Sequence, residues 1–258
     1  MSLVDSDMSR PADGTHAGPR AGGVGYGRWK PALDRVAAMA LLLLTSPIVI
    51  VAMVLVRLTS RGPALYRQER LGLGGEVFTI YKIRTMRQDS ERHGRATWSL
   101  PGDHRVTPVG RVLRSTHLDE LPQLINVLMG ELSLVGPRRE RPEFLPSLER
   151  AFPDYRRRLA VRPGVTGLAQ VQQPPDTGLQ SVRRKLAYDL SYVDGLSPWL
   201  DLRVVLATPL KCLGVPFAWI GVILRLPDPI SPFGRDIPSR KETIRPEALA
   251  LEAQPAAV

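Results

Sequence analysis

At 258 residues, with 35 Lys and Arg against 25 Asp and Glu, the chain carries a formal charge of +10. That balance points to a polyanionic partner: nucleic acid, an anionic membrane surface or a phosphorylated substrate. A single cysteine, Cys212, excludes a disulfide framework and a Cys-based zinc site, and His16, His93, His104 and His117 show no metal-ligand spacing, which leaves only a hard, oxygen-bound cation open.

Residues 1–27 are rich in Gly, Asp, Pro and Ser and read as a disordered tail, without the basic start and early apolar core of a secretory signal. From Val36 to Val56 no charged residue occurs, about the ~20 residues that a membrane-crossing helix needs. Ser46-Pro47 stands at its midpoint, where proline removes a backbone donor and bends a helix while the Thr45 and Ser46 hydroxyls are placed to satisfy freed carbonyls. Both flanks are basic: Arg28, Lys30 and Arg35 before, Arg57, Arg61, Arg67 and Arg70 after. Positive charge gathers on the cytoplasmic side of membranes, so both ends prefer the same side. A helix that enters, breaks at Ser46-Pro47 and returns meets that preference; a bitopic span and a buried core helix are the alternatives.

Leu65–Arg70, a glycine-rich turn through Gly72, Gly74 and Gly75, and Glu76–Arg84 read as a β-hairpin from their β-branched and aromatic alternation. On the second strand Lys82 and Arg84 share one face, opposite Tyr81 and Ile83, either as a solvated edge or as a cationic one with a task. Gln88–Pro108 reads as a polar surface loop. Beyond it, Leu121, Leu124, Ile125 and Leu128 recur at helical spacing and Gly130 suits the stop, which predicts a helix with Asp119 and Glu120 in its first turn. One reading makes Thr116 the cap, with Asp119 completing a capping box. The other makes the paired carboxylates and Arg114 a place for a metal ion and phosphate oxygens, with one acid free to attack phosphorus. Leu132–Pro142 is an apolar run broken by Gly136-Pro137 and followed by Arg138, Arg139 and Arg141; a loop arginine there suits bidentate phosphate binding. Arg162-Pro-Gly marks a tight backbone excursion. Ser181–Val193 and Leu200–Leu213 predict amphipathic helices, and Val215–Leu226, with Trp219 and Trp199, is placed either in a headgroup region or in the core. From Pro227 on the chain reads as a second tail, with at most a short polar helix over Glu242–Ala253.

The order of these motifs resembles the bacterial sugar transferase family, the small monotopic polyprenyl-phosphate phosphoglycosyl transferases, from about Trp29 to Leu213. The resemblance is carried by the apolar segment with Ser46-Pro47, Leu58-Thr-Ser-Arg-Gly-Pro63, Tyr81-Lys-Ile-Arg-Thr-Met86, Leu118-Asp-Glu-Leu-Pro-Gln-Leu-Ile-Asn-Val-Leu128, Ser133-Leu-Val-Gly-Pro-Arg138, Arg162-Pro-Gly-Val-Thr-Gly-Leu-Ala-Gln170 and Tyr192-Val193 through Leu202. It implies an α+β fold, mainly helical with a small β-hairpin, an N-terminal re-entrant membrane helix broken at Ser46-Pro47, and amphipathic surface helices. The layout would be a tail over 1–27, the membrane-helix region 28–60, a catalytic domain 61–226 and a tail over 227–258.

It further implies transfer of a sugar 1-phosphate from a nucleotide diphosphate sugar, a UDP-sugar, to polyprenyl phosphate at the cytoplasmic face of the bacterial inner membrane, priming a surface glycan. Asp119 and Glu120 would be the catalytic dyad, with Asp119 as nucleophile and Mg²⁺ against both. Arg114, Arg138, Lys82, Arg84 and Arg162 would bind substrate. Partners would be the nucleotide sugar, polyprenyl phosphate and membrane lipid, with no nucleic acid and a homo-oligomer left open. The rival reading is a membrane-anchored basic adaptor for anionic lipid or nucleic acid. The chain departs from the family in three places: Pro137-Arg138-Arg139 replaces Pro-Arg-Pro, Gln172-Gln173-Pro174 replaces Asn-Gly-Arg, and His117 replaces a small hydroxylated residue. Longer members carry several membrane helices before this domain; a disordered tail is expected here instead.

Overall fold

The computed structural model describes residues 21–87, 103–174 and 179–229. Most of the expected N-terminal tail, the body of the 88–108 loop and the C-terminal tail with its polar helix lie outside those residues. The described chain is α+β, dominated by helices, with two small two-stranded sheets.

Helix α1 runs from Ala21 to Thr59 with Pro31 and Pro47 inside it, so it starts before the expected boundary at residue 28. It is long and apolar enough to cross a membrane. Proline at 47 has no amide for the Leu43 carbonyl, and the Ser46 hydroxyl donates to that carbonyl at 3.0 Å; Thr45 Oγ1 likewise donates to the Leu41 carbonyl at 2.7 Å. Ser46 thus fills the expected role, while Thr45 bonds a carbonyl that Pro47 does not free, and the helix continues through the motif without the expected break.

Both arms of α1 pack on the rest of the protein. Strands β1 (Leu65–Leu71) and β2 (Val77–Ile83) form the antiparallel hairpin in the register Leu65↔Ile83 to Leu71↔Val77, as the alternation predicts. The N-terminal arm buries Ala38 against Ile80 of β2, Leu124 and Val127 of α3 (Leu124–Met129), and Leu132. The C-terminal arm buries Ala52 and Val56 against Ile83 and Leu113, the latter on α2 (Pro108–Ser115). Between Ala38 and Ala52 no residue is buried, and Leu43 and Leu44 are 68% and 74% exposed.

The N-terminal arm is also held by charge. Lys30 pairs with Asp201 on α7 (Pro198–Cys212) and lies 3.4 Å from Asp34. Asp34 accepts from Ser133 Oγ at 2.6 Å, and Asp201 accepts from Tyr26 and Tyr192, each at 2.7 Å. Ser133 opens β3 (Ser133–Val135), which pairs in parallel with β4 (Gly164–Thr166), a pairing the sequence pattern does not announce. The strands meet through glycines: a Cβ on Gly164 would lie 2.1 Å from the Gly136 amide nitrogen, so only glycine permits this approach. The largest core lies under β3 and joins α5 (Leu168–Gln172), α6 (Leu179–Asp194), α7 and α8 (Phe217–Ile223), while α4 (Leu145–Ala151) packs with α6. The two amphipathic helices read from the sequence are thus α6 and α7, and the short apolar run is α8.

The segment before α3 departs from expectation. Thr116 closes α2 rather than capping the next helix, and His117 turns the chain through the left-handed region at φ 56°. A 3₁₀ turn over Leu118–Gln123 follows, and α3 starts only at Leu124. Pro122 explains the delay, since it has no amide to open an α-helical ladder. Asp119 and Glu120 therefore sit in the 3₁₀ turn, and no capping box forms. The Gly130 stop is as read, with φ 84° at the C-cap of α3.

Candidate active site

The 3₁₀ turn packs against β2 and α1, which brings the two acids under the hairpin. Asn126 ties α3 to the same strand, its Nδ2 donating to the Thr79 carbonyl at 2.7 Å and its Oδ1 accepting from the Tyr81 amide at 3.3 Å. On that strand Lys82 reaches Glu120, Nζ to Oε1 at 2.8 Å. The other carboxylate oxygen, Oε2, accepts from Arg139 Nη2 at 2.8 Å.

The neighbouring acids are thereby pushed apart. Burial alone would raise Glu120, but Arg139 and Lys82 outweigh it and hold the carboxyl well below its ordinary value. Asp119 is only 8% exposed and has no ion pair among the described residues. Burial, helped by the charge of Glu120 and only partly opposed by Lys82 and Arg114, pushes it up to about 6. Lys82 is itself brought down to about 8 by burial, against the pull of Glu120. One acid is locked as an anion between two cations; the other is desolvated, unpaired and more basic than an ordinary aspartate.

The sequence-predicted cations divide into two groups. Arg114, on the last turn of α2, stands near enough to Asp119 to favour its anion and is oriented by a 2.8 Å bond from Nε to Thr85 Oγ1. Thr107 caps α2, accepting from the Gly110 amide at 2.9 Å, and its own amide bonds the Thr85 carbonyl at 3.0 Å, so the helix start and the Arg114 anchor share one support. Arg138 is exposed beside the dyad, where its charge acts on Glu120, Lys82 and Lys211. Its backbone bridges to Gly164 and its carbonyl accepts from the buried Arg158, which fix the loop and leave the guanidinium outward.

Arg84 and Arg162 are placed elsewhere. Arg84 leaves the strand end toward α1, bonding Ser60 Oγ at 2.7 Å and the Ser60 carbonyl at 3.0 Å, so it does not share the direction of Lys82 that strand alternation suggests. The reason is that β2 ends at Ile83, and the Arg84 amide already follows the chain toward the Ala64 carbonyl. Arg162 Nε bonds the Gly130 carbonyl at 2.8 Å, a cation at the end of α3. Ser46 and Pro47 lie within α1, on the stretch between the two docked arms.

Two cations at the site escaped sequence reasoning. Arg139 registered as one of several loop arginines and as a departure from a motif, never as a partner of Glu120, and Lys211 at the end of α7 gave no signal. Burial and then the charge of Arg138 lower Lys211, which places it on the cationic rim.

Of the two acids only Asp119 has oxygens that no described cation holds, so a divalent ion of the magnesium type would find one carboxylate here. Among the described residues no third carboxylate or histidine joins the dyad, and the Asp119 oxygens hold no competing cation. One or two carboxylates completed by water and substrate phosphate is the arrangement such an ion takes.

Comparison with known proteins decides what this arrangement belongs to. The family described as bacterial sugar transferase matches residues 26–214, which contain every group just described. The chain belongs to the bacterial sugar transferase family. Among curated relatives, the UDP-N-acetylgalactosamine-undecaprenyl-phosphate N-acetylgalactosaminephosphotransferase of Aeromonas hydrophila is 42% identical over 183 residues, covering 71% of this chain and 43% of that protein. The UDP-glucose:undecaprenyl-phosphate glucose-1-phosphate transferase of Caulobacter vibrioides is 44% identical over 183 residues, 69% of this chain and 67% of that protein. The exopolysaccharide production protein PSS of Rhizobium leguminosarum bv. phaseoli is 36% identical over 184 residues, 69% of this chain and 92% of that protein. This bacterial sugar transferase thus spans under half of the first relative and most of the third.

Proposed function

We propose that the protein transfers a sugar 1-phosphate from a UDP-sugar to undecaprenyl phosphate, with Asp119 as the nucleophile. The observation that carries the assignment is the asymmetry of the dyad. Glu120 has both oxygens engaged by Lys82 and Arg139, whereas Asp119 keeps a buried carboxylate without an ion pair among the described residues, in reach of the charges of Lys82 and Arg114.

Asp119 attacks the sugar-proximal phosphorus, a new P–O bond forms, and the bond to the departing nucleoside monophosphate breaks. The phosphosugar then waits as an acyl phosphate until a phosphate oxygen of the lipid attacks the same phosphorus and releases Asp119. Two steps suit one soluble and one membrane-bound substrate, which then need not occupy the site together. Arg114 and Arg138 hold the diphosphate, for which a planar guanidinium offers paired donors. Mg²⁺ would be held at Asp119, since both Glu120 oxygens are taken by Lys82 and Arg139, and would neutralise charge on the diphosphate and its leaving oxygen. The six-residue α3 and the 3₁₀ turn before it supply little macrodipole, so the surrounding cations carry the electrostatic work.

The same reading places the enzyme on the cytoplasmic face of the inner membrane with α1 re-entrant. Residues 39–51, between the two docked arms, supply only about 20 Å of helix, less than the ~30 Å hydrocarbon thickness. A straight span would have to tear one arm from its dock. Exposed Trp199, Leu206, Trp219 and Val222 on α7 and α8 offer a second apolar contact with the interface.

The test is a panel of nucleotide sugars assayed for monophosphate release without acceptor. Release limited to the amount of enzyme, with a sugar-phosphate mass on the peptide containing Asp119, is the expected result. Release that strictly requires the lipid would refute the covalent step, and binding that falls steeply and uniformly with salt, with no turnover, would restore the adaptor reading. For topology, Arg28→Cys and Arg61→Cys in a Cys212→Ser background should both label from the cytoplasmic side; labelling from opposite faces would exclude re-entry.

A further inference from the structure

Arg139 stands where the family motif has its second proline, and the fold gives it a defined place. It is 3% exposed. Nη2 donates to Glu120 Oε2 at 2.8 Å, while Nη1 donates to the carbonyls of Gly164 at 3.1 Å and Val165 at 3.4 Å. One guanidinium therefore ties the catalytic turn to β4. Since Lys82 takes the opposite oxygen, Glu120 is gripped from both sides by cations that arise on separate strands and loops.

The loop that presents Arg139 is itself held. Its carbonyl accepts from Arg70 Nη1 at 3.5 Å, and the Glu140 carbonyl accepts from the Leu71 amide at 2.9 Å. The Arg138 carbonyl accepts from Arg158, which pairs with buried Asp189 at 2.7 Å. A buried guanidinium held by two carbonyls on fixed backbone and one carboxylate cannot swing out to a substrate phosphate without abandoning them.

We propose that Arg139 is a positioning residue that acts through Glu120. It clamps that carboxylate to β4, and the clamp sets the 3₁₀ turn so that Asp119 presents its carboxylate toward Arg114. Glu120 is then an anchor rather than a mobile base. The proposal rests on the reading of Asp119 as nucleophile.

The test is a double-mutant cycle over the wild type, Arg139→Met, Glu120→Gln and the pair, followed both by monophosphate release and by thermal unfolding, with Arg139→Lys as the conservative variant. Arg139→Met should lower kcat roughly thirtyfold or more while leaving KM for the nucleotide sugar within about threefold. The double variant should be no slower than the slower single one, and Arg139→Lys should recover part of kcat because it keeps a cation beside Glu120. In unfolding, the two single shifts in Tm should exceed what the double variant loses. Additive losses in kcat would overturn the proposal, as would a rise in KM at unchanged kcat, which would mark a direct substrate contact. A shift in Tm with kcat intact would reduce Arg139 to a structural brace and equally overturn it. Should the wild type release no monophosphate from any nucleotide sugar, the functional reading falls; the unfolding cycle then decides the anchor by itself, coupling retaining it and additivity removing it.

Discussion

Two buried clusters of charge, one joining the N-terminal arm of α1 to β3 and one joining the 3₁₀ turn to β2, are built differently. At the N-terminal arm of α1, every acid has its partners: Asp34 holds Lys30 and Ser133, and Asp201 holds Lys30, Tyr26 and Tyr192. In the dyad, Glu120 is equally saturated but Asp119 is not. A buried charge that only docks a helix gains by filling every acceptor, since each empty one costs its desolvation. One that does chemistry has to keep an atom for the substrate, and the cost is borne by the anchored neighbour and the ring of cations.

The largest expected effect removes the open carboxylate. Asp119→Asn should abolish the covalent adduct and cut turnover at least a thousandfold, about 4 kcal/mol in barrier, while the protein stays folded. A substantial residual rate would return Asp119 to a metal-holding role.

The same substitution sharpens the contrast through pH. With its proton held up to about 6, Asp119 binds that proton more tightly in the native than in the unfolded chain. Its contribution to stability is therefore complete below the ordinary aspartate value and lost as pH rises through about 6, up to about 3 kcal/mol. In metal-free protein the wild type should lose stability relative to Asp119→Asn between about pH 4 and 6, read from unfolding midpoints. Over the same window monophosphate release should climb, because the proposed nucleophile is the Asp119 anion.

Breaking the saturated cluster should give the complementary pattern. Asp201→Ala takes the acceptor from the Tyr26 hydroxyl and the nearer of two carboxylates from buried Lys30, leaves Tyr192 only the Val135 carbonyl, and should cost about 3 kcal/mol in unfolding. The adduct chemistry of the protein that remains folded should be retained. If turnover fell in proportion with no change in Tm, the cluster would belong to the site.

Smaller effects test how the site is held. Arg114→Lys keeps the charge and loses the fork, so it should cost about 2 kcal/mol in kcat/KM, roughly thirtyfold; equal activity would reduce Arg114 to general charge. Thr107→Ala removes the cap of α2 and should cost about 1 kcal/mol of stability, with only a modest effect on rate. A larger loss of rate than of stability would show that the α2 start, through Thr85, governs where Arg114 points.

The sequence by itself determined a good deal. The hairpin follows from the alternation around Phe78, Ile80 and Tyr81, the stop at Gly130 from the need for a left-handed residue, helices α6 and α7 from their apolar spacing, and the dyad from two adjacent acids among arginines. These are local properties, set by backbone preference and by which face of one element is apolar. What only the tertiary structure decided concerns partners far apart in the chain. Nothing within the sequence near Lys82 and Arg84 says that one turns to Glu120 and the other to Ser60, nor that Arg162 serves the end of α3. Thr116 satisfied the pattern of a cap, and the left-handed turn at His117 together with the missing amide of Pro122 overrode it. The parallel pairing of β3 with β4, three residues each, is too short to announce itself and exists because Gly136 and Gly164 let two backbones touch. Through that contact Arg139 reaches Glu120, so the division of labour between the two acids is a property of packing: a charge is paired or left open by whatever the fold brings within 3 Å, and sequence proximity carries no record of it.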